Sequence, residues 1–120
     1  MDQLQEEAKA RWGETPEYKE STRRTSKYSH ADFDAAKLDQ EAATEQFVTA
    51  FGNSYAITSP EARSAVVAHR AAISKWFYDC SVEMQKNLAL LYISDPRFTA
   101  YYDSRLRGLA QYVHDCIMAQ

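Results

Sequence analysis

The sequence predicts an all-α fold, on three observations. Apolar residues recur at steps of three and four over most of the chain, the period that lines one face of a helix. No segment alternates apolar and polar residues over a strand's length. Thr15-Pro16, Ser59-Pro60 and Asp95-Pro96 each repeat one start signal: a side-chain oxygen that caps a free N–H, then a proline whose fixed φ suits the first helical position.

About seven helices of unequal length follow in order. Leu4, Ala8 and Trp12 fall four apart, and Gly13 ends that short helix. Thr15-Pro16 opens a polar helix running to about Lys27. Ser29 caps the next, with Asp32 in the first turn favoured by the macrodipole. Its buried stripe is Phe33, Ala36, Ala43, Phe47, Ala50 and Phe51, and Gly52 stops it.

After a loop over residues 53–58, Ser59-Pro60 starts a helix with the stripe Ala62, Ala65, Val66, His69, Ala72, Ile73, Trp76 and Phe77. Asp79-Cys80-Ser81 interrupts it. Met84, Leu88, Leu91 and Tyr92 carry the following helix. Asp95-Pro96 begins a short helix through Tyr102, and Leu106, Leu109, Ala110, Val113 and Ile117 form the last stripe.

Residues 1–30 differ from residues 31–120. Six acids balance six bases there, and the large apolar side chains are only Leu4, Trp12, Tyr18 and Tyr28. Such a segment buries little surface against a backbone ordering cost of roughly 1–2 kcal/mol per residue. Two readings stay open: a mobile arm or lid that orders over a ligand, or a docked N-terminal helix pair. Residues 31–120 carry the regular apolar stripes and form one helical core.

Composition excludes several classes. A chain of 120 residues holds one core and no second of useful size. Two cysteines, Cys80 and Cys116, are too few to staple a secreted scaffold and fit a reduced, cytoplasmic protein. The longest apolar runs are far too short for a membrane span, and the N-terminal residues lack a basic and apolar leader pattern. A net charge of −3 gives no basic footprint for nucleic acid. DNA contact, if any, belongs to residues outside this sequence.

Among residues that carry chemistry, Cys80 stands out. It sits at a helix junction one residue before the N-cap Ser81, where oriented N–H groups favour a thiolate. The adjacent Asp79 opposes that ionisation, and a buried inert thiol is the competing reading. Cys116 reads as packing. His69 lies on an apolar face, as a hydrogen-bonded core histidine or a ligand contact. His30 and His114 have no partners at metal-ligand spacing, so no metal and no other cofactor is expected.

Eight tyrosines, with Trp76-Phe77-Tyr78 before Cys80 and Phe98, Tyr101 and Tyr102 after Pro96, suit large, flat, partly polar ligands. They serve equally to fill a small core.

The stretch His69-Arg70, then Trp76-Phe77-Tyr78-Asp79-Cys80-Ser81 with Glu83-Met84, then Tyr92-Ile93-Ser94-Asp95-Pro96-Arg97-Phe98, resembles the TipA-type (TipAS) antibiotic-recognition domain of MerR-family transcription regulators. Arg11-Trp12-Gly13 with Thr15, Tyr18 and Ser21 resembles the family's N-terminal motif. Tyr102-Asp103 with Gly108-Leu109-Ala110 and Tyr112 resembles its C-terminal helix.

The resemblance implies a globin-like helical arrangement with a deep ligand cleft, and an N-terminal portion that folds over the ligand. It implies small-molecule antibiotics as partners, thiopeptides such as thiostrepton or other drugs such as albicidin. The candidate contacts are Cys80, Trp12, Tyr18, His69, Trp76, Tyr78, Met84, Phe98 and Tyr101. In thiopeptide binders of the family a cysteine adds to a dehydroalanine of the drug, and Cys80 falls at its place. A MerR-type DNA-binding domain and a dimerisation helix precede this domain in the full-length family architecture.

Two departures bear on this. Val82 stands where a polar or aromatic residue is common, which alters the surface beside Cys80; Arg107 stands where proline often occurs. The expected function is drug binding without turnover, as a sensor or a sequestering protein. A thiol-dependent enzyme and a protein-interaction module are the competing classes.

Overall fold

The structure is a computed structural model that describes residues 15–120, and these residues hold six helices and no strand. They are α1 (Pro16–Thr25), α2 (His30–Gly52), α3 (Pro60–Trp76), α4 (Val82–Ser94), α5 (Pro96–Asp103) and α6 (Leu109–Met118). The short helix expected around Leu4, Ala8 and Trp12 lies outside the described residues. Each start signal operates as the sequence predicts. Tyr18 N–H donates to Thr15 Oγ1 at 3.2 Å, Ala62 N–H to Ser59 Oγ at 3.1 Å, and Arg97 N–H to Asp95 Oδ1 at 2.9 Å. Ser29 and Asp32 form a reciprocal capping box, and Ser81 Oγ accepts from Met84 N–H at 3.0 Å.

The last helix starts differently. Gly108 takes φ 89° at its N-cap and supplies no side chain. Asp103 Oδ1, from the end of α5, accepts the Ala110 N–H at 2.9 Å instead. Leu106, placed in this helix by periodicity, stands in the turn before it. Gly52 is the final residue of α2 rather than its left-handed stop, and the chain reverses at Ser54, whose φ is 59°.

The long helices α2 and α3 form the most extensive contact, and α4 packs on α6 with α5 bridging them. Phe47, Val66, Leu109, Val113 and Ile117 meet at the centre, each essentially without solvent exposure. Alanines 50, 62, 65 and 89 let the helix axes approach around them. The α1 helix buries no residue of its own. It is tied to the end of α3 by Arg24, whose guanidinium donates to the Ser74 carbonyl at 2.7 Å.

Phe33, Phe51, Trp76, Phe77 and Leu106 are less buried than their period predicts. Phe33 is 40% exposed, because it stands at the open edge of a cleft rather than beneath a neighbouring helix. Phe51 is half-buried and stacks on Tyr112 at 4.7 Å.

Candidate functional site

A cleft of about 460 Å³ opens between α2, α3 and α5, within the range of small-molecule sites. One side is α2, with Phe33, Lys37, Gln40 and Glu41 toward solvent and Ala36, Ala43 and Thr44 deeper in. Opposite stand His69, Ala72, Ile73 and Phe77 of α3 and the loop that follows it. Tyr92 at the end of α4 and Phe98, Tyr101 and Tyr102 on α5 close the third side. The surface is mainly aromatic and aliphatic, with a few convergent polar groups.

Those rings are locked together. Tyr92 lies 5.8 Å from Phe98 and 4.9 Å from Tyr102, and Tyr101 meets Tyr102 edge-on at 4.9 Å. The Arg105 guanidinium sits 4.1 Å over the Tyr101 ring, a cation–π contact that orients the phenol. Burial drives the Tyr92 and Tyr102 hydroxyls well above the ordinary phenol range, so both remain neutral donors and acceptors.

At the base of the cleft His69 is buried between two partners. Its Nε2 lies 3.0 Å from the Tyr92 hydroxyl, and its Nδ1 lies 2.8 Å from the Gln85 amide nitrogen. Burial first, and the charge of Arg70 second, lower its pKa to about 4. At neutral pH the imidazole is therefore uncharged.

A second group of residues lies beside α1. Cys80 is buried, its thiol pushed up to about 11 by burial, opposed by Arg70 and reinforced by Glu17 of α1. The helix N-terminus predicted to favour the thiolate is present, since Ser81 is the N-cap of α4, but desolvation outweighs it. Cys80 N–H donates to Ser74 Oγ at 3.0 Å. Tyr78 is half-buried against the core, and burial first, then Cys80 and Glu17, raise its hydroxyl. Met84 is a core residue.

Thus His69, Phe98 and Tyr101 line the cleft, whereas Cys80 and Met84 lie in the core with Tyr78 packed against it. Tyr18 is half-buried on α1 itself. Trp76 ties α3 to α2: its indole N–H donates to Asp39 Oδ2 at 2.6 Å, and Tyr28 meets its ring edge-on while donating to its carbonyl. Trp12 lies outside the described residues.

Sequence reasoning missed the contribution of α2. Phe33, Lys37, Gln40 and Glu41 carried no chemical motif, and their shared face was visible only as helical spacing. Among the described residues no cluster of His, Cys, Asp or Glu could hold a metal ion. No described helix is long and apolar enough to cross a membrane.

The model of the TipAS antibiotic-recognition domain matches residues 4–120. The chain belongs to the TipAS family. The HTH-type transcriptional activator TipA of Streptomyces coelicolor is 36% identical over 118 residues, covering 98% of this chain and 47% of that protein. The HTH-type transcriptional activator mta of Bacillus subtilis is 27% identical over 99 residues, covering 82% of this chain and 38% of that protein. This TipAS-family chain therefore spans less than half the length of these curated relatives. Among solved structures, TipAS of Streptomyces lividans in complex with nosiheptide, described as part of a thiopeptide antibiotic multidrug resistance system, superimposes with a TM-score of 0.87. It is 36% identical, with 98% of this chain and 82% of that chain covered.

Proposed function

We propose that this TipAS-family chain binds a thiopeptide antibiotic, or a drug of similar aromatic character, in the cleft between α2, α3 and α5, without turnover. The observation that carries this reading is the cleft itself: about 460 Å³ lined by Phe33, Phe77, Tyr92, Phe98, Tyr101 and Tyr102. Rigid rings provide contact area at small entropic cost, and the hydroxyls orient the ligand. The likeness to a nosiheptide-bound TipAS supports the ligand class. Among the described residues the Cys80 thiol has the Ser81 carbonyl as its hydrogen-bond partner and not a general base, which repeated thiol catalysis would require.

Residues 1–30 act in this reading as a lid. Support comes from α1, which buries no residue and is fastened mainly by Arg24 and Tyr28 to the end of α3. Cys80 is buried and does not line the cleft, so covalent addition follows binding and local rearrangement. In that step the Cys80 thiol gives its proton to water, the sulfur bonds to the β-carbon of a dehydroalanine as its C=C π bond opens, and water returns a proton to the α-carbon. In a longer regulator, DNA contact would fall to residues outside this sequence, and drug binding here would be the signal.

Native mass spectrometry of the domain with nosiheptide tests the proposal. A one-to-one complex is expected, together with slower amide exchange over residues 15–30. Absence of a complex at ligand concentrations well above those of the protein refutes the reading. Consumption of many ligand equivalents per protein would show an enzyme instead.

A further inference from the structure

Gln85 has no solvent exposure, and a buried amide requires partners for both its ends. Its oxygen accepts from the Arg70 guanidinium at 3.1 Å, and a guanidinium can only donate. Its nitrogen lies 2.9 Å from the Val66 carbonyl, which can only accept. These opposite constraints fix the amide's orientation without reference to His69. The same nitrogen therefore donates its other proton to His69 Nδ1 at 2.8 Å. A ring nitrogen that accepts carries no proton, so the neutral imidazole holds its single proton on Nε2. Nε2–H then donates to the Tyr92 hydroxyl oxygen at 3.0 Å.

The consequence appears at the cleft wall. Tyr92 lines the cleft, its ring packed 4.9 Å from that of Tyr102. With Tyr92 accepting from His69, the phenol keeps its own proton to donate elsewhere. With the proton on Nδ1, Tyr92 would donate to Nε2, and only its lone pairs would remain. The position of one proton on His69 decides whether this wall offers a donor or only lone pairs.

We propose that Gln85, anchored by Arg70 and Val66, is a positioning residue that holds the His69 proton on Nε2 and thereby frees the Tyr92 hydroxyl proton as a hydrogen-bond donor to the bound ligand. The ligand feature this selects is an acceptor, a carbonyl oxygen or an azole nitrogen, on an otherwise aromatic surface. The selectivity rests on the antibiotic-binding reading above; the tautomer does not.

Nitrogen NMR of labelled histidine in the unliganded domain near neutral pH reads the tautomer directly, with no substitution needed. The expected result is an unprotonated Nδ1 and a protonated Nε2 at His69. Gln85→Glu places an acceptor, already neutralised by Arg70, opposite Nδ1 and should move the proton there. Nosiheptide titrations should then show affinity weaker by about tenfold or more in Gln85→Glu and in Tyr92→Phe, the loss of one buried hydrogen bond. Wild-type His69 with its proton on Nδ1 overturns the proposal. So does Gln85→Glu that moves the proton, or merely lowers Tm, while nosiheptide affinity stays unchanged. The expected tautomer in a protein with no affinity for nosiheptide would uphold the relay and overturn the binding reading, and the selectivity with it.

Discussion

The Arg24 guanidinium on α1 meets the Asp79 carboxylate at 3.1 Å, one residue before Cys80. The same guanidinium donates to Glu20 Oε2 at 2.6 Å and to the Ser74 carbonyl at 2.7 Å. The Asp79 side chain is 95% exposed, so water and salt screen that pair. The bond to Ser74 is more sheltered and also satisfies a carbonyl in the last turn of α3. Arg24, not Asp79, is the fastening of α1.

Asp79→Asn should therefore leave Tm almost unchanged, while Arg24→Ala should speed amide exchange throughout Pro16–Thr25 and leave α2 to α6 protected. Equal exchange in α1 of wild type and Arg24→Ala would show that other contacts hold the helix.

Stability should depend on pH through His69. Its pKa in the fold is about 4 against an ordinary 6.5, so between those values the unfolded chain binds a proton that the folded protein refuses. Stability is thus full above about pH 6.5, falls as pH drops toward 4, and loses nothing further from this group below that. The gap amounts to roughly 3 kcal/mol. Carboxylates titrate in the same region, so the measurement is a difference: urea denaturation of wild type and His69→Gln at a series of pH values. The stability difference between the two should shrink steadily on acidification. A constant difference would mean that His69 is not held neutral.

Helix starts were legible in the sequence because a cap is a local device. Thr15, Ser29, Ser59, Ser81 and Asp95 each serve a backbone N–H two or three residues on. The entry of α6 was not legible, because its cap comes from Asp103, seven residues before Ala110. The cleft followed the same division. Phe98 and Tyr101 were readable as aromatics near a turn, whereas Phe33 and Thr44 reach the site only through the crossing of α2 over α3. Cys80 shows how burial overrides a local rule: its place at a helix start was read correctly, yet its thiol is raised, not lowered.

Gly108 should resist substitution. Its φ of 89° disfavours any L side chain, and an added Cβ would stand 3.4 Å from the Phe51 ring. Gly108→Ala should cost about 1–2 kcal/mol in urea denaturation, the penalty of left-handed backbone, with Asp103→Ala also destabilising by loss of the Ala110 cap. A Gly108→Ala protein as stable as wild type would show that this turn relaxes to negative φ.

Covalent capture, if Cys80 performs it, should be slow near neutrality and accelerate with pH. The nucleophile is the thiolate, and the thiol is held at about 11, by burial first, with Arg70 favouring ionisation and Glu17 opposing it. Below that value each unit of pH raises the thiolate fraction about tenfold, and adduct formation with a dehydroalanine-containing thiopeptide should follow it. Glu17→Gln removes one opposing charge and should speed the reaction; Arg70→Met removes the favourable one and should slow it. Cys80→Ala, a modest loss of core volume, should keep the helical fold and reversible binding while abolishing the adduct. Intact-protein mass spectrometry at several pH values gives the rates. A rate that is flat with pH in this range would mean that the ligand brings Cys80 into a different, ionising environment. An adduct that survives Cys80→Ala and maps to Cys116, which is more deeply buried and also raised to about 11, would remove Cys80 from the mechanism.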